Sequence, residues 1–381
     1  MTHRERAAAA LNLQVPDYVP TFELEFQLAE EMFGKPLLPP ELEPGNIEKL
    51  SSLERERKIC EMAEYTAYVY RELDYSIIPL MMIGDFDYWQ AQGKLPPEFE
   101  LYARYVRAFT EGKVLLAHHG DGTYSIPDGN DMYAFAYRIA DDPEGVCAQA
   151  QRMADAAIER NKRLHEAGID VLLLCSDYCY NSGPFLSPAM FRQFIQPYLY
   201  RIIQAGRADG QFTIKHTDGN IMPILDQLVE CGPHALHSLD PMAGVDIREV
   251  KRLVGDKVCL CGNVHCAALQ TGTEEEVVAS AEYCLTYGKP HGGYIFCTSN
   301  VPSRGCRPSA TGSSSTSGSG CGHIEKKNSN DNTGRKSQWI CMKFLFSFRP
   351  ARRRSSRASS SRRSTKAFRR RRSSKRAFWT A

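Results

Sequence analysis

The chain has 381 residues, 24% charged and 43% hydrophobic, a length that suits one large α/β barrel with additions or two to three ordinary domains. Its formal charge of +2 conceals two opposite segments: residues 301–381 hold 21 Lys and Arg against 2 acidic residues, whereas residues 1–300 hold 26 against 43. That split excludes a chain that binds nucleic acid throughout, and no specific nucleic acid is expected as a partner. No apolar run reaches the roughly 18 residues of a membrane span, and Met1-Thr-His-Arg-Glu-Arg6 lacks an apolar signal core, so no membrane association is expected. Thirteen cysteines, an odd number scattered singly, fit a reducing cytosol and predict a cytoplasmic protein.

In chain order, short apolar runs predict strands at Val19–Phe26, Ser76–Ile83, Lys113–His118, Ile169–Cys175, Gln211–His216, Ala235–Leu239, Lys257–Cys261 and Gly293–Cys297. They are continuous rather than alternating, as in a parallel sheet buried on both faces. Helical spacing lies between them. Val146, Ala150, Met153 and Ala157 form one stripe of a helix over Pro143–Gly168. Ser187-Pro188 supplies an N-cap and a first-turn proline for a helix running to Gly206. Ile221–Cys231 and Val245–Val254 are further helices, stopped by Gly232 and Gly255. Eight strands, each followed by a helix or long connection, predict an α/β fold of the (β/α)8 TIM-barrel type over residues 1–304. A doubly wound sheet is weakened because no GxGxxG follows the first strand.

From about Gly305 the texture changes. Ser309–Gly320 is nearly pure Ser, Gly and Thr, and Ala351–Arg376 is an Arg/Ser tract. Such composition buries too little apolar surface to offset chain entropy, so residues 305–381 are predicted to be a disordered basic tail.

Barrel chemistry sits at the C-terminal ends of the strands. The sharpest segment there is Lys215-His-Thr-Asp-Gly-Asn220. Alternation puts His216 and Asp218 on one face, where they can converge on a proton or on a metal such as zinc, with Glu23, His265 or Cys297 as a third ligand. Asp177 emerges from a fully apolar strand and suits proton transfer. In Gly262-Asn-Val-His-Cys266, Asn263 can fix a substrate carboxylate or amide and His265 can act as acid, base or ligand. Glu23, Asn220 and Asp240 complete the predicted substrate contacts. Cys175, Cys179, Cys259, Cys261 and Cys266 lack paired-knuckle spacing and read as buried small residues.

Together these residues resemble the uroporphyrinogen decarboxylase superfamily. The resemblance rests on Met1–Pro20, on Gly168-Ile-Asp-Val-Leu172 with Asp177, and on Leu186-Ser-Pro-Ala-Met-Phe-Arg192 with Pro197-Tyr198. His216-Thr-Asp-Gly-Asn220, Asp240-Pro-Met-Ala-Gly244 and Gly262-Asn263 complete it. It implies a barrel acting on tetrapyrroles, either by decarboxylating uroporphyrinogen or by moving methyl groups between a corrinoid cofactor and a small donor or acceptor, several members using zinc. Where the decarboxylases carry Arg-Gln-Ala-Gly-Arg, this chain reads Thr21-Phe-Glu-Leu-Glu-Phe-Gln27. A mouth lined by Glu23, Asp85, Asp121, Asp177, Asp218 and Asp240 would repel a substrate with eight carboxylates. The resemblance therefore implies the methyltransferase-like branch, with a corrinoid protein as partner. Members of the branch that methylate coenzyme M carry His-x-Cys where this chain has His216 and Asp218. A Pro-initiated closing helix should follow Ser299-Asn300 and is missing. With one choice of codons, a frame shift of two nucleotides after Gly305 restores a helix start, so a frameshift origin of the tail is one hypothesis, which the nucleotide sequence tests.

Overall fold

A computed structural model describes residues 1–301. The predicted disorder of the tail, the missing closing helix and the frameshift all lie outside the described residues. No helix among the described residues is long and apolar enough to cross a membrane.

The sheet is parallel and curled. Its strands are β1 (Ile77–Pro79), β2 (Leu115–His119), β3 (Val171–Leu174), β6 (Phe212–His216), β7 (Ala235–His237), β8 (Cys259–Cys261) and β9 (Tyr294–Ile295), hydrogen-bonded in that order. A small antiparallel hairpin, β4 (Cys179–Tyr180) with β5 (Gly183–Pro184), sits in the connection after β3. Each predicted apolar run except the first thus coincides with one of the observed strands, β2 running one residue further, to His119. In the first run the strand shrinks to Thr21, which bridges in parallel to Tyr75 on one side and Phe296 on the other. Backbone bonds Ser76 N–H to Thr21 O (2.8 Å) and Phe296 N–H to Pro20 O (2.9 Å) join the two sheet edges through this segment. The eighth position is therefore present as a bridge that links the β1 edge to the β9 edge.

Side-chain alternation makes two cores. Ile77, Leu115, Ala117, Val171, Leu173, Ile214, Ala235, Cys259, Cys261, Ile295 and Cys297 fill the interior with Phe22 and Leu24. Ala7, Ala10 and Leu11 of the helix His3–Leu11 join them, so this helix packs against the interior core. Leu116, Leu172, Leu174, Leu236 and Leu260 point outward into the helix layer. The predicted helix from Pro143 runs to Glu166, with Val146, Ala150 and Ala157 buried. The single helix expected over 187–206 is two, Pro188–Phe194 and Gln196–Ala208, because the chain leaves helical geometry at Ile195 (ψ −54° at φ −124°) and restarts with Pro197 in its first turn. The helix expected over 221–231 is a 3₁₀ turn, Met222–Ile224, followed by Leu225–Glu230.

Candidate active site at the strand ends

The ladder between β6 and β7 pairs His216 with His237, so both imidazoles project into the interior at the same level. Their Nδ1 atoms are 2.8 Å apart. Only one can donate. His237 Nε2 lies 3.3 Å from the carbonyl oxygen of Thr298, which can only accept. His237 therefore carries its proton on Nε2 and offers Nδ1 as acceptor. His216 donates from Nδ1, and its Nε2 lone pair is free. Burial lowers the proton affinity of both rings: burial and then His216 depress His237, while the Asp218 and Asp177 carboxylates only partly offset burial at His216.

That lone pair faces two carboxylates. His216 Nε2 is 3.6 Å from Asp177 Oδ1 and 3.7 Å from Asp218 Oδ1. One ligand atom from each of the three residues lies within 4.8 Å of the others. Asp218 is fixed by Ser238 Oγ at 3.1 Å and by Asn300 Nδ2 at 2.6 Å, and its own backbone N–H donates to Asp177 Oδ1 at 3.1 Å. Burial and then the neighbouring Asp177 raise the Asp218 carboxyl, against the pull of His216 and Ser238. Three acceptors converging in a half-buried place call for a cation between them, a proton or a metal. One nitrogen and two carboxylate oxygens are a donor set that zinc accepts.

The loop bearing Asp218 turns at Gly219, whose φ is +79°. A Cβ there would lie 2.4 Å from the carbonyl oxygen of Cys179 in the hairpin. Gly219→Ala is expected to cost about 1–3 kcal/mol, read as a lowered urea midpoint, because it combines a strained backbone with a backbone clash.

The remaining predicted residues are placed as follows. Glu23 is buried deeper, accepting from Thr298 N–H at 3.1 Å and from the Thr298 hydroxyl; burial pushes its carboxyl up to about 8. It is therefore not a free acid of the mouth. Asp121 is also not one: it pairs with Lys215 at 2.9 Å, and although burial works against the charge, that ammonium and the surrounding donors hold it at about 2. Asp85 caps the helix Phe86–Ala91 through Tyr88 N–H. Asn220 accepts from Met222 N–H and Asp240 from Met242 N–H, each shaping its own turn. Asn263 and His265 do not join the cluster. Asn263 Nδ2 donates to Leu239 O at 2.6 Å and its Oδ1 accepts from Cys284. His265 lines a separate cavity of about 310 Å³ with Asn263, Asp246, Ser280 and Tyr283. Cys297 belongs to the interior core, and the third corner of the cluster is Asp177 instead. Cys179, Cys259, Cys261 and Cys266 are buried thiols and Cys175 is partly buried, as predicted. Of the cluster's partners, Ser238 and Thr298 carry no mark in the sequence, while His237 and Asn300 stand among the polar residues at the strand ends without an assigned role. Strand-end position was the available signal for His237 and Asn300.

Comparison with known proteins agrees with the resemblance. Residues 125–300 match the model of the family "Uroporphyrinogen decarboxylase (URO-D)". A curated uroporphyrinogen decarboxylase from Chlorobium luteolum is 27% identical over 182 residues, 46% of this chain and 49% of that protein, so the chain spans about half the length of this relative. Among solved structures, a methyltransferase from Methanosarcina mazei superposes with a TM-score of 0.57 and 17% identity, covering 79% of this chain and 93% of its own. An N-acetylneuraminate lyase from Fusobacterium nucleatum aligns over 57% of this chain and 60% of its own with 10% identity and a TM-score of 0.32, too low to carry an argument.

Proposed function

We propose, on the premise that the chain belongs to the uroporphyrinogen decarboxylase superfamily, that it is an enzyme transferring a methyl group to or from a corrinoid carried by a partner protein. The observation that carries this reading is the convergence of Asp177, His216 and Asp218, a cation-holding set, at the mouth of the barrel. In this reading the three residues hold a divalent cation such as zinc, which when bound supplies Lewis acidity to the small methyl donor or acceptor. The chain's own part is to hold and orient these three ligands. His216 Nε2 is kept unprotonated by the His237 contact. Asp218 would offer Oδ1 to the cation as a carboxylate, beside His216 Nε2 and Asp177 Oδ1. Asn300 and Ser238 keep its carboxylate plane fixed. His265 and Asn263 have no part at this centre.

A planar macrocycle needs an apolar rim around the polar centre. Met82 after β1, Tyr180 in the hairpin after β3 and Met242 after β7 are exposed large apolar side chains at three strand ends, which supports docking of a corrinoid protein there. The cytoplasmic location expected from cysteine usage stays part of this proposal.

Decarboxylation of uroporphyrinogen is the alternative. It has the curated relative on its side, and the pairing of Asp121 with Lys215 and the burial of Glu23 leave a less acidic mouth than the sequence implies. The two readings separate experimentally. Purified full-length protein is expected to hold stoichiometric zinc that is lost in His216→Ala, and to consume methylcobalamin when offered a panel of small nucleophiles. A metal-free protein that decarboxylates uroporphyrinogen with no corrinoid present overturns the methyl-transfer reading.

A further inference from the structure

Lys215 precedes His216 in β6, so alternation turns it to the other face of the sheet, where its side chain has no exposure at all. A lysine there must satisfy three donors and a full charge. It does so on two neighbouring segments, the loop after β2 and the end of β3 with the residues that follow it. Nζ donates to Asp121 Oδ2 at 2.9 Å, to Ser176 O at 2.8 Å and to Leu174 O at 3.1 Å, and it sits 4.0 Å from the centre of the Tyr178 ring. Asp121 completes the circuit: the same Oδ2 accepts Ser176 N–H at 3.1 Å, while Oδ1 accepts from Gly122 N–H, Thr123 N–H and the Thr123 hydroxyl. Both backbone polar groups of Ser176 are thus taken by one buried ion pair.

Asp177 is the next residue. Its N–H donates to Ser125 Oγ at 3.0 Å, and its carbonyl accepts Ile126 N–H at 2.9 Å and Ser125 Oγ at 3.2 Å. Beyond it, Tyr178 N–H donates to Thr217 Oγ1 at 2.8 Å, and the Tyr178 hydroxyl meets Thr123 Oγ1. The backbone is held at 176, 177 and 178, and the Asp177 carboxylate is left to face His216.

We propose that Lys215 and Asp121 are positioning residues that hold the Asp177 carboxylate against His216, so that one strand, β6, supplies both a ligand and the anchor for the ligand opposite it. The role as a metal-site support rests on the function proposed above. Lys215 touches neither substrate nor cation. Burial requires all three donors to be paired, wherever their acceptors lie. Here two of the three lysine donors go to carbonyls of the segment that leads into Asp177.

The test compares the full chain with Lys215→Met and with the double variant Lys215→Met/Asp121→Asn. The single variant leaves Asp121 buried and unpaired and can fail to fold; the double variant removes both charges together. Zinc affinity is measured by competition with a chromophoric chelator, and amide hydrogen exchange is followed over residues 175–180. The double variant is expected to bind zinc about 10- to 100-fold more weakly, the range for loss of a supporting partner. Its amides at 176–178 should exchange faster while those of β6 keep their protection. Zinc affinity within twofold of the parent overturns the proposal, even where exchange quickens, since the clamp would then be structural only. A parent chain that binds no zinc overturns the metal-dependent function instead. The clamp is then judged by exchange alone, with unchanged rates at 176–178 refuting it.

Discussion

Relative to Glu23→Gln, the parent is expected to lose about 1.4 kcal/mol of stability for each pH unit between roughly pH 4.5 and 8. The cause is the burial of Glu23 behind the site, which raises its carboxyl to about 8 from an ordinary value of 4.5. Below pH 4.5 the group is protonated in the folded and unfolded chain alike and contributes nothing. Above it the unfolded chain releases the proton while the folded chain keeps it, so raising the pH favours unfolding. The loss is complete once the folded carboxyl also ionises near pH 8. Over the whole window it amounts to about 5 kcal/mol, a large share of the 5–15 kcal/mol typical of a domain. The hydrogen bonds from Thr298 oppose the shift and do not overcome burial. Glutamine has the same shape, carries no charge, and keeps an oxygen that can accept the Thr298 N–H. Urea unfolding at pH 5, 6.5 and 8 checks this. A parent profile no steeper than that of Glu23→Gln would show that the buried carboxyl is already ionised in the folded chain.

The same position shows what a sequence can and cannot disclose. Its place after the first strand predicts Glu23 at the mouth. Nothing local says that the strand is one bridge long at Thr21, or that Thr298, 275 residues away, closes over the carboxylate. Runs such as Val171–Leu174 were legible because burial on both faces leaves no other composition for them. His216 and Asp218 were legible because alternation holds through the end of β6. Alternation fails after β8, where Gly262 takes φ +143° and bends the chain; the Asn263 side chain then turns to Leu239 O and Cys284. Asn263 and His265 were expected at the centre because a regular strand was continued past that bend. Lys215 stood unread beside His216, since a lysine in an apolar strand becomes intelligible only with its partner, Asp121, 94 residues upstream.

His237 carries the second large effect. The Thr298 carbonyl forces its proton onto Nε2, and its Nδ1 then accepts from His216. This fixes the His216 tautomer so that Nε2 presents a lone pair to Asp177 and Asp218. Replacing His237 by Phe keeps a ring of similar size, in contact with Phe22, whose ring centre is 6.0 Å away. It removes the acceptor. His216 Nδ1–H would then be buried without a partner, which costs about 1–3 kcal/mol. The ring relieves this by moving its proton to Nε2, where the two carboxylates accept it. That tautomer cannot ligate a cation through Nε2. His237→Phe is therefore expected to weaken zinc binding by about 100-fold, at the upper end for a supporting residue. His237→Gln, whose amide oxygen can take the His216 proton and whose amide N–H₂ can reach Thr298 O, should recover most of the loss. The discriminating quantity is the ratio of the two variants' zinc dissociation constants at matched thermal stability. A ratio near one would mean that the orientation of His216 is set by strand β6 and the carboxylates alone, and that its neighbour across the ladder merely fills space.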